Sequence, residues 1–243
     1  MVSSEHIITQ RKPLYCIFTD IPPRYDLINH IITWGLDRHW RWLAARECIT
    51  SQPKKVLDLC CGTGDLALNI ARLSGSGIAI SGIDYSQPML EIAAHKAEKL
   101  GLGKRVSFLY GDVASLPFPD NYFDCIGISF AFRNLTYKNP QVKQYLAEIH
   151  RVLRPEGRFI VIETSQPRSV IIRKLFHIYL RCFVFRIGYL LSGNRGAYRY
   201  LAESAANYFT PAELKELLHA SVFRDIRFQP LFMGAAGICI ATK

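Results

Sequence analysis

A glycine-rich segment followed at a fixed distance by a carboxylate is the pattern in this chain that most clearly could do chemistry. Residues 62–67 read Gly-Thr-Gly-Asp-Leu-Ala and match G-x-G-x-x-[GA] between a predicted strand and a predicted helix. Gly62 and Gly64 let the backbone turn sharply and approach a ligand without a Cβ in the way. Asp84 follows about twenty residues later, where a carboxylate can accept the hydroxyl protons of a ribose. The pattern predicts a site for NAD or S-adenosylmethionine.

Charge separates these two cofactors. The pyrophosphate of NAD favours N–H groups at a helix N-terminus. Here Asp65 stands at that N-terminus and Asp58 ends the preceding strand, so both would repel a pyrophosphate. S-adenosylmethionine carries a sulfonium and an α-ammonium, which suit an acidic rim in a chain of net charge +10. Singly, Asp65 could be only a helix cap, Asp84 a turn residue and Asp112 a loop acid. The predicted rim consists of Asp58, Asp65, Asp84 and Asp112.

Alternating strands and helices frame the glycine-rich turn, which is typical of a parallel sheet covered by helices on both faces. The last two apolar runs are too close for a helical crossover, so they predict an antiparallel hairpin. The result is an α/β, Rossmann-like fold with a seven-stranded, mostly parallel sheet and an antiparallel C-terminal strand. Predicted strands are Lys55–Leu59, Ile78–Ile83, Val106–Tyr110, Phe123–Ser129, Arg158–Glu163, Asp225–Phe232 and Gly237–Ala241, and predicted helices are Asp65–Leu73, Met89–Leu100, Pro140–Leu153 and Pro211–Leu218.

Two segments lie outside this alternation. Residues 1–48 carry apolar side chains at helical spacing and predict a helical lid on a core formed by residues 49–243. Residues 166–200 form an insertion where a short connection is expected, and such insertions are usually functional. Within it, Arg173, His177 and Arg181 predict one basic helical face. The combination is typical of an interfacial helix on anionic lipid, and the alternative is an ordinary helix that covers the core. The predicted apolar face consists of Leu175, Ile178, Tyr179, Cys182 and Phe183.

The composition bounds the class of protein. The chain has 243 residues, of which 49% are hydrophobic and 21% charged, as in a globular domain. Seven cysteines without a CxxC pair predict reduced thiols and no metal site. Neither a signal peptide nor an uncharged apolar run of about 18 residues is present, so we expect a cytoplasmic protein without a membrane span. The positive charge favours nucleic acid, an anionic membrane surface or acidic ligands.

Several segments resemble one family of enzymes. Residues 56–65 resemble motif I of class I methyltransferases. The segments Tyr25–Asn29, Leu116–Asp120, Ser129–Asn134 and Tyr198–Ser204 are similar to the demethylmenaquinone / 2-polyprenyl-benzoquinol C-methyltransferase family. The resemblance implies methyl transfer from S-adenosylmethionine to a ring carbon of a polyprenyl quinol, with demethylmenaquinol favoured over the benzoquinol precursor of ubiquinone. A membrane-resident substrate implies transient contact with the inner face of an anionic membrane; a homodimer is left open.

The resemblance also assigns cofactor contacts, which join those predicted from the glycine-rich segment. It implies contacts at Thr63, Asp84, Ser129 and the pair Asp112-Val113. Asp112 could accept the adenine amino group, with the Val113 N–H beside it. The candidate cofactor residues are therefore Asp58, Gly62, Thr63, Gly64, Asp84, Asp112, Val113 and Ser129.

Methylation at a ring carbon needs a phenolate, because the neighbouring oxygen must lose its proton before the carbon becomes nucleophilic. A phenolic pKa lies near 10, so the site must stabilise the anion. Arg133 is the main candidate, since its guanidinium is too basic to accept a proton but favours an adjacent anion. Asn134 and Tyr25 could orient the substrate or relay its proton through water. The general base is left open; Arg133 could instead be a surface ion-pair residue and Tyr25 a core aromatic.

Other classes of protein fit less well. A nucleic-acid base methyltransferase would carry [DN]-P-P-[YF] after the fourth strand or a Pro-Cys nucleophile, and residues 129–134 contain neither. We therefore expect no nucleic-acid partner. An NAD-dependent oxidoreductase is disfavoured by Asp65, and a non-catalytic carrier would bind without turnover.

Overall fold

One mixed sheet forms the centre of the molecule, whose computed structural model describes residues 22–243, with side chains from Asp26 onward. The strands are β1 (Lys55–Leu59), β2 (Ala79–Asp84), β3 (Val106–Tyr110), β4 (Phe123–Ser129), β5 (Leu153–Thr164), β6 (Arg224–Leu231) and β7 (Ala236–Thr242). Their order is β3-β2-β1-β4-β5-β7-β6. Strands β1 to β5 are parallel, whereas β7 is antiparallel to both β5 and β6. The predicted fold class and C-terminal hairpin are confirmed.

Helices cover both faces of the sheet because its strands are apolar on both sides. Within β1, Leu57 packs in the layer that holds Leu146 and Leu218, whereas Val56 packs in the layer that holds Ala44 and Ile70. Both faces are thus buried, which explains the near-continuous apolar runs of the parallel strands. The helices of the described residues are α1 (Pro22–Ile32), α2 (Leu36–Ile49), α3 (Asp65–Leu73), α4 (Gln87–Lys99), α5 (Phe132–Thr136), α6 (Val142–Val152), α7 (Val170–Tyr179), α8 (Phe185–Ser192), α9 (Arg195–Ala206) and α10 (Pro211–Ala220).

Two local elements differ from the sequence-based expectation. The short helix α5 was not predicted, since five residues are too few to show a helical period. Strand β5 begins at Leu153 rather than Arg158, because Leu153 already pairs with Phe123 of β4. The pairing resumes at Arg158 after an irregular segment in which Glu156 has φ +60°.

The insertion is helical but interrupted. Helix α7 continues through a π-helical turn, Leu180–Val184, into α8, and Gly193 at φ +73° ends that continuous stretch before α9. Its inner side packs against α1 and the turn that follows it. The ring of Trp34 in that turn stacks on Phe183 at 5.6 Å, and the Tyr179 hydroxyl donates to the Ile32 carbonyl. Helix α1 of the predicted lid and the insertion therefore share one small hydrophobic core, and residues 1–21 of that prediction lie outside the described residues.

The exposed side of the insertion is more apolar than the sequence predicts. Leu175 and Ile178 are 61% and 57% exposed, so the predicted apolar face points outward there, whereas Tyr179 is half-buried. His177 is not part of an exposed basic face, because its Nε2 lies 2.9 Å from Gln166 Oε1. By length and composition alone, Val170–Ser192 could cross a membrane. Only 17% of its most apolar 18-residue stretch is buried, so most of that stretch faces outward. The sequence predicted no such segment because basic residues interrupt each apolar run.

Candidate active site

The two glycines after β1 have different roles in the turn that precedes α3. Both have positive φ, +52° at Gly62 and +80° at Gly64, which favours glycine. A Cβ at Gly62 would meet no atom within 4 Å, whereas one at Gly64 would lie 2.8 Å from Phe108 Cζ. Gly62 therefore leaves room for a ligand, and Gly64 allows close packing between α3 and its neighbours.

Asp84 joins the first two loops of the rim. One carboxylate oxygen accepts the Gly62 N–H at 2.8 Å, and the other accepts the Ser86 N–H at 2.9 Å. Burial raises the pKa of this carboxyl, and the backbone N–H groups oppose that rise. The position and the fixed orientation of Asp84 suit recognition of ribose hydroxyls.

Asp58 and Ser129 each hold a buried polar atom without a partner in the described part of the chain. Asp58 Oδ2 accepts the Ala67 N–H at 2.9 Å, but Oδ1 accepts nothing; Ser129 Oγ is likewise unpaired. Burial, with the nearby carboxylates of Asp84 and Asp65, raises the pKa of Asp58 to about 8. Leaving such atoms unpaired costs about 1–3 kcal/mol each. The strand ends therefore fit a ligand with a cationic N–H donor, as S-adenosylmethionine has.

Asp65 does not contribute a free charge to this rim, which corrects the role given to it above. Its carboxylate is paired with Lys96 Nζ, and its other oxygen lies 3.8 Å from Arg41 Nη1. Lys96 Nζ also contacts Thr63 Oγ1 at 3.2 Å, and that hydroxyl donates to Asp26 of α1 at 2.8 Å. The sequence could not show this network because Lys96 lies two elements away. The remaining acidic rim consists of Asp58, Asp84 and Asp112.

Asp112 and Val113 follow β3 at the same edge of the sheet. Asp112 Oδ1 accepts the Ala114 N–H at 3.0 Å, which orders the loop, and the side chain is half-buried. Val113 packs its side chain into the core beneath the loop. The predicted cofactor residues thus come together at the carboxyl ends of β1, β2, β3 and β4, where ligands bind in open α/β sheets.

Arg133 lies beyond β4 in a buried ion pair rather than on the surface. Its Nη1 donates to Glu163 Oε1 and to Thr164 Oγ1, each at 2.9 Å, and its backbone N–H donates to Glu163 Oε2 at 3.1 Å. Arg133 is 4% exposed and Glu163 is 2% exposed. The Nε–H of Arg133 is buried and has no acceptor among the described residues. A rigidly held cation whose Nε–H lacks an acceptor suits a ligand that develops an oxyanion.

Two tyrosines lie close to this pair. Tyr137 and Tyr200 have ring centroids 6.4 Å apart, and the Tyr137 hydroxyl is buried without a partner in the described structure. Burial raises the pKa of Tyr200, while Arg133 opposes the rise and Glu163 adds to it. The segment containing Tyr200 stood out in the sequence, but nothing there indicated that α9 would bring it to Arg133.

The other candidate catalytic residues are less defined. Asn134 is half-buried on α5, where its N–H donates to the Ala131 carbonyl at 3.0 Å. Tyr25 belongs to α1, but its side chain lies outside the described residues. His30 has a structural partner in Asp37, 3.0 Å from its Nδ1, and His39 is exposed and stacks on Trp42. These contacts give each histidine a partner within α1 or α2 or the turn between them.

Comparison with known proteins shows the family. The sequence pattern of the ubiE/COQ5 methyltransferase family matches residues 7–243. A demethylmenaquinone methyltransferase of Thermus thermophilus is 39% identical over 227 residues, which cover 93% of this chain and 100% of that protein. The ubiquinone/menaquinone biosynthesis C-methyltransferase UbiE of Geobacter sulfurreducens is 35% identical over 93% of this chain and 87% of that protein.

Solved structures show the same fold at lower identity. A SAM-dependent methyltransferase from Aquifex aeolicus superposes with a TM-score of 0.55 at 20% identity, over 78% of this chain and 81% of that chain. Human N-acetylserotonin methyltransferase in complex with SAM gives a TM-score of 0.60 at 19% identity, over 90% of this chain and 55% of that chain. Fold, acidic rim and sequence thus agree: the chain belongs to the ubiE/COQ5 methyltransferase family, and it is a methyltransferase that depends on S-adenosylmethionine.

Proposed function

We propose that this enzyme methylates a ring carbon of a polyprenyl quinol, with demethylmenaquinol as the preferred acceptor. Relatives named demethylmenaquinone methyltransferase match nearly the whole chain. The observation that carries the proposal is the buried Arg133, which Glu163 holds in place and whose Nε–H has no acceptor among the described residues. The benzoquinol precursor of ubiquinone is the second candidate, because other relatives carry both quinones in their names.

Residues of the rim would hold the cofactor. S-adenosylmethionine, when bound, supplies a methyl group activated by a sulfonium. Asp84 is suited to the ribose hydroxyls, and Asp112 with the Val113 N–H to the adenine. The unpaired atoms Asp58 Oδ1 and Ser129 Oγ would accept N–H donors of the amino-acid part. Gly62 and Thr63 line the backbone turn that faces this space.

Arg133 would favour the anionic form of the substrate hydroxyl. Its Nε–H can donate to the quinol oxygen, and a charge-assisted hydrogen bond to the phenolate is stronger than one to the phenol. Glu163 offsets the positive charge, so the pair is neutral before the substrate ionises. This arrangement stabilises the phenolate by orientation rather than by an isolated buried charge, which would be unfavourable. Asn134 and Tyr25 are proposed to position the ring or a water that takes the proton.

Methyl-acceptor assays test the substrate directly. Purified protein is supplied with labelled S-adenosylmethionine and, in parallel, a short-chain naphthoquinol and benzoquinol. We expect faster labelling of the naphthoquinol. Tight calorimetric binding of NAD, without binding of S-adenosylmethionine, would contradict the proposal at its first step.

The insertion is proposed to dock this cytoplasmic enzyme on the inner face of an anionic membrane. An ordinary cover helix would bury Leu175 and Ile178, yet both are exposed. Residues 164–202 contain no Asp or Glu and seven basic residues, so their charge complements anionic headgroups. A polyprenyl quinol resides in such a membrane. The seven basic residues are Arg168, Arg173, Lys174, Arg181, Arg186, Arg195 and Arg199.

A homodimer would be a different use of the same surface. Light scattering of the purified protein, which measures its oligomeric state, distinguishes the two uses. A dimer that buries the insertion should dissociate into monomers in Leu175→Ser/Ile178→Ser. We propose that lipid, rather than a second copy, covers this face, since two copies would bring two like-charged surfaces together.

A further inference from the structure

A second exposed apolar feature lies at the tip of the β6–β7 hairpin. Phe232 and Met233, with Gly234, form a single 3₁₀ turn between the two strands. The two side chains are 60% and 75% exposed. The ring centroid of Phe232 lies 6.2 Å from that of Trp40. Adjacent large apolar side chains that project from a tight turn are unusual on a surface that contacts only water.

The backbone of this tip is held in an unfavourable conformation. Phe232 and Met233 have φ of +44° and +57°, in the left-handed region that non-glycine residues rarely adopt. Polar residues or glycine would fit such a turn at lower free energy. The sequence nevertheless places two large apolar residues there. Strained conformations of this kind occur where function requires a side chain to point in a given direction.

The tip lies beside the start of the insertion. A Cβ on Gly234 would be 3.3 Å from Pro167 Cα, and the Ser165 N–H donates to the Ala235 carbonyl at 2.9 Å. The insertion then continues through exposed Arg168 into Ile171, which is 72% exposed. The hairpin tip and the insertion thus both leave the sheet beside the carboxyl end of β5. The candidate active site lies along the carboxyl ends of the same parallel strands.

We propose that Phe232 and Met233 form a second membrane insertion point, which enters the acyl region of an anionic bilayer beside α7. This inference rests on the proposed docking of the insertion and extends it to a segment about sixty residues later in the chain. Charge complementarity selects the occupant, because the neighbouring insertion is basic and contains no acid. Two insertion points on separate elements would fix the orientation of the active-site edge toward the membrane, which one helix cannot do.

Vesicle flotation with matched variants tests the proposal. The full chain is mixed with vesicles of phosphatidylcholine containing phosphatidylglycerol, and with vesicles of phosphatidylcholine alone. Phe232→Ser/Met233→Ser removes the tip, and Leu175→Ser/Ile178→Ser removes the exposed face of α7. Val222→Ser is the matched control, because Val222 is 71% exposed at φ +68° and lies at the opposite end of β6. Turnover of a water-soluble short-chain quinol verifies that each variant is folded.

The expected pattern separates the two hypotheses. The tip variant should lower partitioning to anionic vesicles by about tenfold or more, since two large apolar side chains lose their burial. The control should bind as the unsubstituted chain does.

Loss of binding with the insertion variant alone would overturn the role of the tip and leave the docking of the insertion standing. Failure of the unsubstituted chain to bind either vesicle would overturn both. A change from dimer to monomer in the tip variant, with unchanged flotation, would assign the tip to a second copy and overturn the proposal.

Discussion

Replacement of Glu163 by Gln removes the charge that holds Arg133 and keeps the size of the side chain. In the structure the two carboxylate oxygens accept the guanidinium Nη1 at 2.9 Å and the Arg133 N–H at 3.1 Å. Both side chains are almost completely buried, so solvent screens the pair little. Breaking one partner of such a pair destabilises a protein by about 3–5 kcal/mol, and glutamine retains one acceptor oxygen. We expect Glu163→Gln to lower the free energy of unfolding by about 3 kcal/mol.

The same substitution should affect turnover more than cofactor binding. Loss of a positioned oxyanion donor lowers kcat by about 10²–10³. We expect Glu163→Gln to lower kcat by roughly a hundredfold, because Arg133 loses the carboxylate that orients it. The affinity for S-adenosylmethionine should stay within about twofold, because Glu163 is not among the residues proposed to hold it. Urea denaturation measures the first effect, and single-turnover kinetics with calorimetry measure the second.

The pH dependence separates positioning from a purely structural role. If Arg133 no longer stabilises the phenolate, the defect in kcat should shrink as the pH approaches the phenolic pKa near 10, because solvent then generates the anion. Thr164→Val is the matched control, since it removes the other acceptor of Nη1 and leaves the carboxylate in place. Reduced stability of Glu163→Gln with unchanged kcat, or a defect independent of pH, would refute the positioning argument.

Three further predictions concern the cofactor turn and the catalytic cation. Arg133→Ala should abolish most turnover and leave calorimetric binding of S-adenosylmethionine unchanged; unaltered turnover would exclude its role. Burial raises the pKa of Asp58 to about 8, so this carboxyl should lose a proton when a cation binds, and affinity should rise between pH 6 and 7.5 and become flat in Asp58→Asn. For the same reason Asp58 favours the folded state less as the pH rises from about 4 to about 8. Gly62→Ala and Gly64→Ala both carry the strain of a positive φ, about 1–3 kcal/mol. Only Gly64→Ala also clashes with Phe108, so it should lower the melting temperature further, whereas Gly62→Ala should also weaken cofactor binding; equal melting temperatures would contradict the distinction.

The sheet could be predicted because its signals are local. The apolar run Lys55–Leu59 with the glycine turn after it, and the two closely spaced runs at the C-terminus, each indicate their element within a few residues. The acidic residues that end β1 and β2 could be assigned for the same reason, since parallel strands place their carboxyl ends at one edge.

Contacts between distant segments were not accessible in this way. Glu163 follows the apolar run 159–162 of β5, and only the neighbouring position of β4 and β5 brings it to Arg133, thirty residues earlier. The neutralisation of Asp65 by Lys96 likewise depends on how α3 packs beside α4. The outward orientation of Leu175 depends on which side of the insertion packs against α1, which periodicity alone does not specify.

The position of the transferred methyl group tests the central claim most directly. The enzyme is incubated with S-adenosylmethionine carrying a labelled methyl group and a short-chain demethylnaphthoquinol, and the product is identified by mass spectrometry and NMR. Our account predicts one new carbon–carbon bond at the ring position next to a hydroxyl, and its loss in Arg133→Ala. A methyl ether on the quinol oxygen, or no transfer to the naphthoquinol by a protein that binds S-adenosylmethionine, would contradict it.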